Sequence, residues 1–169
     1  MDARDARAVL RGLRGAVLGA GPAIALGARP GWRVGRARGD GAAVTAGPLP
    51  HEVPAGTAVV VTTSGSTGYP KPVALSRSAL TSSALATADR IGEGAWLLAL
   101  PAGYIAGVQV LVRSLIAGRE PAILSGSFSA HAFAAAAAAM ASGEGGRRVP
   151  TYTSLVPAQL QTVLDDPDP

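Results

Sequence analysis

A chain of 169 residues is long enough to bury a core within one domain, and 48% hydrophobic content with 15% charged residues excludes an intrinsically disordered chain. The absence of cysteine excludes disulfides, thiolate catalysis and cysteine metal sites, and two isolated histidines, His51 and His131, cannot build a zinc site unaided. The net charge of +4 comes mostly from arginines that are densest in residues 1–38, where Trp32 is the sole aromatic, so a nucleic-acid surface is not expected.

From Asp5 to Leu18, the apolar residues Val9, Leu10, Leu13, Val17 and Leu18 fall at helical spacing with arginines between them, which predicts an amphipathic surface helix. The apolar run Ala16–Leu26 behind those arginines superficially resembles a signal peptide, against which stand Asp2, Asp5 and the pair Gly21-Pro22. Residues 27–57, rich in Gly and Pro, read as loops and short extended pieces.

The β-branched run Ala58–Thr63 predicts a buried strand, and Val73-Ala74-Leu75 resumes an extended path after a loop. Ser76 is placed to cap a helix running to about Arg90, with Ile91-Gly92-Glu93-Gly94 as its stop. Ala95–Val112 carries no charge, but Pro101 and Gly103 interrupt it; a strand Ala95–Leu100 and a helix from Ile105 to Ala117, ending at Gly118, fit better than a membrane span.

Pro121–Leu124 reads as a short strand, and Ser129 as the cap of an alanine-rich helix from His131 to Ser142. An extended piece Arg148–Thr151 precedes a helix Pro157–Leu164, with proline suited to its first turn. This succession predicts an α/β fold: a mostly parallel sheet flanked by helices, with a ligand at the carboxyl ends of its strands. The expected organisation is an N-terminal helix and irregular segment over residues 1–57, then an α/β nucleotide-binding portion over 58–169.

The loop Thr63-Ser64-Gly65-Ser66-Thr67-Gly68-Tyr69-Pro70-Lys71 occupies such a carboxyl end. Gly65 and Gly68 let backbone amides approach a polyphosphate closely and form an anion-binding nest. Thr63, Ser64, Ser66 and Thr67 add hydroxyl donors, and Lys71 adds a compact positive charge. Pro70 and Pro72 stiffen the backbone on either side of Lys71, which is the only lysine in the chain. The loop is not a Walker A motif, since two residues separate its glycines and Pro72 follows the lysine. An ordinary turn rich in Gly, Ser and Thr is the alternative.

At these residues the chain resembles the adenylate-forming superfamily of acyl-CoA synthetases, luciferases and nonribosomal adenylation domains. The phosphate loop of that superfamily has the form T-S-G-S/T-T-G-x-P-K-G-V, matched by Thr63 to Val73 with Pro72 in place of glycine. Leu98–Gly107 resembles the family segment P-x-x-H/aromatic-x-x-G, and Val110–Gly118 is similar to the o-succinylbenzoate–CoA ligases of menaquinone biosynthesis. Thr153–Leu160 resembles the segment that precedes the acyl pocket.

The resemblance implies a ligase using ATP, Mg2+ and CoA. A carboxylate attacks the α-phosphate, pyrophosphate leaves, and CoA displaces AMP. It assigns Thr63, Ser64, Ser66, Thr67 and Lys71 to the phosphates, with Gly65 and Gly68 shaping the loop and Lys71 as the catalytic group. Tyr104 and Gly107 would belong to the acyl and CoA pocket, while an aromatic packed in the core is the other reading of Tyr104.

The family's Tyr-Gly-x-Thr-Glu segment, ribose-binding Asp and C-terminal lysine are not found through Pro169. The expectation is therefore a partial, inactive chain with no metal ligand of its own. A cytoplasmic location is expected, with no membrane and no nucleic acid as partners; an exposed edge of a partial sheet would favour a homodimer. Another acyl or aryl acid as substrate, and a noncatalytic nucleotide-binding domain, are the competing functions.

Overall fold

The computed structural model of the protein describes residues 5–26, 52–63, 71–140, 143–144 and 147–166. Helix α1, Ala6–Leu18, begins where the Asp5 side chain accepts the Ala8 amide at 3.0 Å and ends at Gly19, whose φ of 85° closes the helix in the left-handed region. Of the predicted apolar stripe, Val9, Leu10, Leu13 and Val17 are buried, joined by Ala16, whereas Leu18 at the last position of the helix is 60% exposed. Strand β1, Ile24–Leu26, was not expected, and its pairing partner lies far along the chain. It runs parallel to β2, Thr57–Thr63, with Ile24 opposite Val59 and Leu26 opposite Val61.

Strand β3, Lys71–Ser76, returns antiparallel to β2 and leads into α2, Arg77–Ile91. The Ser76 hydroxyl caps α2 by accepting the Ala79 amide at 3.1 Å, as its position before a helical run predicts. Strand β4, Ala95–Leu98, stops two residues short of the expected end. It is followed by α3, Ile105–Ile116, and by β5, Ala122–Ile123. The stretch examined as a membrane span is thus a strand, a turn and a helix, and no helix among the described residues is long and apolar enough to cross a membrane.

Helix α4, Ala130–Ala139, starts at its Ser129 cap and is shorter than the expected His131–Ser142, whose last two residues lie outside the described residues. A small antiparallel pair, β6 Gly143–Glu144 and β7 Arg147–Arg148, precedes β8, Thr151–Thr153. The last helix, α5, spans Pro157–Leu164 as predicted. Much of the irregular segment expected over 27–57 falls on residues 27–51, outside the described residues.

Two three-stranded sheets result, ordered β1-β2-β3 and β5-β4-β8. The pairings β1–β2, β4–β5 and β4–β8 are parallel, and the antiparallel ones are the hairpins. One core joins the layers. Leu13 of α1, Val59 of β2, Leu80 of α2, Leu98 of β4 and Leu111 of α3 all belong to it. Each such leucine contributes about 2 kcal/mol by leaving water. Because α3 carries Val108, Val110, Leu111 and Val112 in that core, its position is fixed by packing along most of its length.

Candidate functional site

The carboxyl end of β2 and the amino end of β3 are register partners, with Thr63 opposite Lys71 and Thr62 opposite Pro72. The segment Ser64–Pro70 therefore closes a hairpin whose two ends stand side by side. Antiparallel partners lie about 5 Å apart between Cα atoms. Ser64, Gly65, Ser66, Thr67 and Gly68 lie outside the described residues, as do the side chains of Thr63 and Lys71.

Within β2, the Thr62 hydroxyl is buried and has no partner among the described residues. Pro72 is buried in β3 opposite Thr62, and among the described residues β3 is an outer strand of its sheet. An outer strand tolerates a residue without an amide proton, so the substitution of proline for the family glycine is compatible with the local fold.

In the second sheet, β4, β5 and β8 are all parallel, so the segments leaving their carboxyl ends share one edge. Tyr104 is there. It is the N-cap of α3, its backbone carbonyl accepts the Val108 amide at 2.9 Å, and its amide donates to the Pro101 carbonyl at 3.2 Å. The residue is 66% exposed, which overturns the core-aromatic reading.

Gly107, one turn into α3, is buried because the helix presses on the turn before it. A Cβ at this position would come within 2.3 Å of the Pro101 carbonyl oxygen and 3.0 Å of the Ala102 Cα. Glycine is required by that approach of two backbones.

Gln159, in the first turn of α5, joins the same edge. Its Nε2 donates to the Ala99 carbonyl at 2.8 Å, and its Oε1 accepts the Val156 amide at 3.1 Å. Sequence reasoning assigned it no role. The available signal was a glutamine three residues into a helix start, which reaches back to cap that start. Its second bond, to the turn after β4 sixty residues earlier, has no local trace.

Away from these residues, the Arg113 guanidinium lies 5.0 Å from the centre of the Trp96 ring, and burial pulls its pKa below the ordinary arginine value. A groove of about 380 Å³ is lined by Leu10, Arg14, Leu18 and Glu120 among others and contains none of the expected site residues. Among the described residues no cluster of three His, Asp or Glu side chains could hold a metal ion.

The model of the AMP-binding enzyme family matches residues 15–169. The chain is 50% identical over 111 residues to a probable 2-succinylbenzoate–CoA ligase of Mycobacterium tuberculosis, a match covering 65% of this chain and 28% of that protein. Among solved structures it resembles the o-succinylbenzoate coenzyme A synthetase of Bacillus subtilis in complex with AMP, with a TM-score of 0.56 and 29% identity over 68% of this chain and 29% of that one. The same synthetase in complex with ATP and magnesium ion gives a TM-score of 0.55 and 29% identity over 65% of this chain and 22% of that one. The chain thus spans about a quarter of the length of these relatives. With the family model covering nearly all of its residues and the α/β fold in agreement, the chain belongs to the AMP-binding enzyme family.

Proposed function

We propose that the protein serves ATP-dependent adenylation of a carboxylic acid and transfer of the acyl group to CoA, with o-succinylbenzoate as the acid. The observation that carries this reading is the antiparallel pairing of Thr63 with Lys71, which sets the two ends of the loop side by side at the carboxyl end of β2. Identity to the M. tuberculosis ligase supports the choice of acid.

In the first step a carboxylate oxygen bonds to the α-phosphorus of ATP as the bond to pyrophosphate breaks. Negative charge grows on the departing group. Loop amides shaped by Gly65 and Gly68, the hydroxyls of Thr63, Ser64, Ser66 and Thr67, and the Lys71 ammonium would stabilise it there. In the second step the CoA sulfur bonds to the acyl carbon, AMP leaves, and the thiol proton passes to solvent or a base. Tyr104, exposed at the carboxyl edge of β4, would line the path of the acyl group and CoA, while Gly107 holds the turn that presents it. Magnesium would enter with ATP as its phosphate complex, and no described residue is assigned to it.

Because the chain spans about a quarter of its relatives' length, the test is pyrophosphate release by the enzyme that carries this segment at the relatives' full length, with ATP, CoA and a panel of acids. Release dependent on o-succinylbenzoate is expected. Release with a fatty or other aryl acid alone would move the assignment to another acyl-CoA synthetase. ATP binding without release for any acid would favour a noncatalytic nucleotide-binding role.

A further inference from the structure

The turn that presents Tyr104 is held from outside its own segment. Ala99 opens this turn, and its carbonyl accepts the Gln159 Nε2 at 2.8 Å. Two residues earlier, the Leu97 carbonyl accepts the Thr153 hydroxyl at 3.0 Å, so β8 and α5 grip successive parts of one strand end. Within the turn, the Tyr104 amide closes on the Pro101 carbonyl, and Pro101-Ala102 is wedged against Gly107.

The Gln159 carboxamide is committed at both ends. Its nitrogen serves Ala99 and its oxygen serves the Val156 amide, so its orientation is set and only a group with both a donor and an acceptor satisfies the site. A carboxylate of the same length would keep the Val156 bond and turn an acceptor toward the Ala99 carbonyl.

We infer that Gln159 is a positioning residue for acyl and CoA recognition: it sets the Ala99–Tyr104 turn, and with it Tyr104, against the first turn of α5. The inference rests on the role given to Tyr104 above. It requires Gln159 to act on the acid and CoA and leave ATP untouched, because none of its bonds involves the β2–β3 hairpin.

The experiment compares the unmodified protein with Gln159→Ala, Gln159→Glu and the control Thr162→Ala, whose hydroxyl bonds only within α5. Michaelis constants for acid, CoA and ATP are measured alongside amide hydrogen exchange over residues 99–107. Loss of the tie is expected to raise the acid or CoA constant about tenfold and leave that for ATP within about twofold. Gln159→Glu should match or exceed the effect of Gln159→Ala, with exchange faster over 99–107 and unchanged in α1 and β2.

Equal rises in all three constants, or faster exchange throughout the core, would show a general role in folding and overturn the inference. Unchanged constants together with unchanged exchange would overturn it as well. If the unmodified protein turns over no acid, the proposed function falls, and the exchange comparison alone decides whether Gln159 positions the turn.

Discussion

Gly107→Ala isolates the contact that seats α3 on the turn before it. The added Cβ would lie 2.3 Å from the Pro101 carbonyl oxygen and 3.0 Å from the Ala102 Cα, where ordinary contact begins at 3.4 Å. The shortfall is about 1 Å and both obstacles are backbone, so no side chain can swing away to relieve it. Nor can α3 slide, because Val108, Val110, Leu111 and Val112 anchor it in the core.

Overpacking of this kind costs about 3 kcal/mol. For a chain of this size the loss corresponds to a fall of about 6–12 °C in Tm. Urea unfolding of the unmodified protein and Gly107→Ala, followed by fluorescence, measures it. Gly118→Ala is the control: Gly118 has φ of 67° with open space around it, so only backbone strain of about 1 kcal/mol is expected. An unfolding midpoint for Gly107→Ala equal to that of the unmodified protein would refute the close approach and the account of why glycine occupies this position.

Leu13 is fully buried in the shared core, and Leu13→Ala should cost about 2–5 kcal/mol in urea unfolding, a test of whether α1 is integral to the fold. The Arg14–Glu120 ion pair, 2.7 Å long with side chains 51% and 67% exposed, should contribute under about 1 kcal/mol. Arg14→Ala is therefore expected to leave the unfolding midpoint nearly unchanged, and a large shift would show that the pair is screened from solvent.

Most helices were legible because their signals are local. Ser76 and Ser129 cap helices at the positions their sequence context predicts, and the stripe from Val9 to Val17 is the buried face of α1. Strand β1 escaped notice because three residues cannot display an alternation; its burial comes from pairing with Val59–Val61, more than thirty residues later.

The loop composition led to the expectation of a phosphate site but carried no sign that its ends pair antiparallel, since hairpin rules read short turns and this connection is longer. Strand β4 ends at Leu98, and beyond it the Ala99 carbonyl is taken by Gln159, a long-range bond no periodicity announces. Tyr104 stood open between core and surface because an aromatic at a strand-to-helix junction fits either place. Its exposure follows from its being the N-cap of a helix whose buried face begins at Gly107.

The central claim is that the Thr63–Lys71 loop grips the departing pyrophosphate, and Lys71→Ala tests it most directly. Pyrophosphate release dependent on o-succinylbenzoate, measured at saturating ATP for the enzyme that carries this segment at full length and for its variant, should fall about a hundredfold on loss of the ammonium, with the unfolding midpoint unchanged. An adenylation rate equal to that of the unmodified protein would contradict the assignment of the loop.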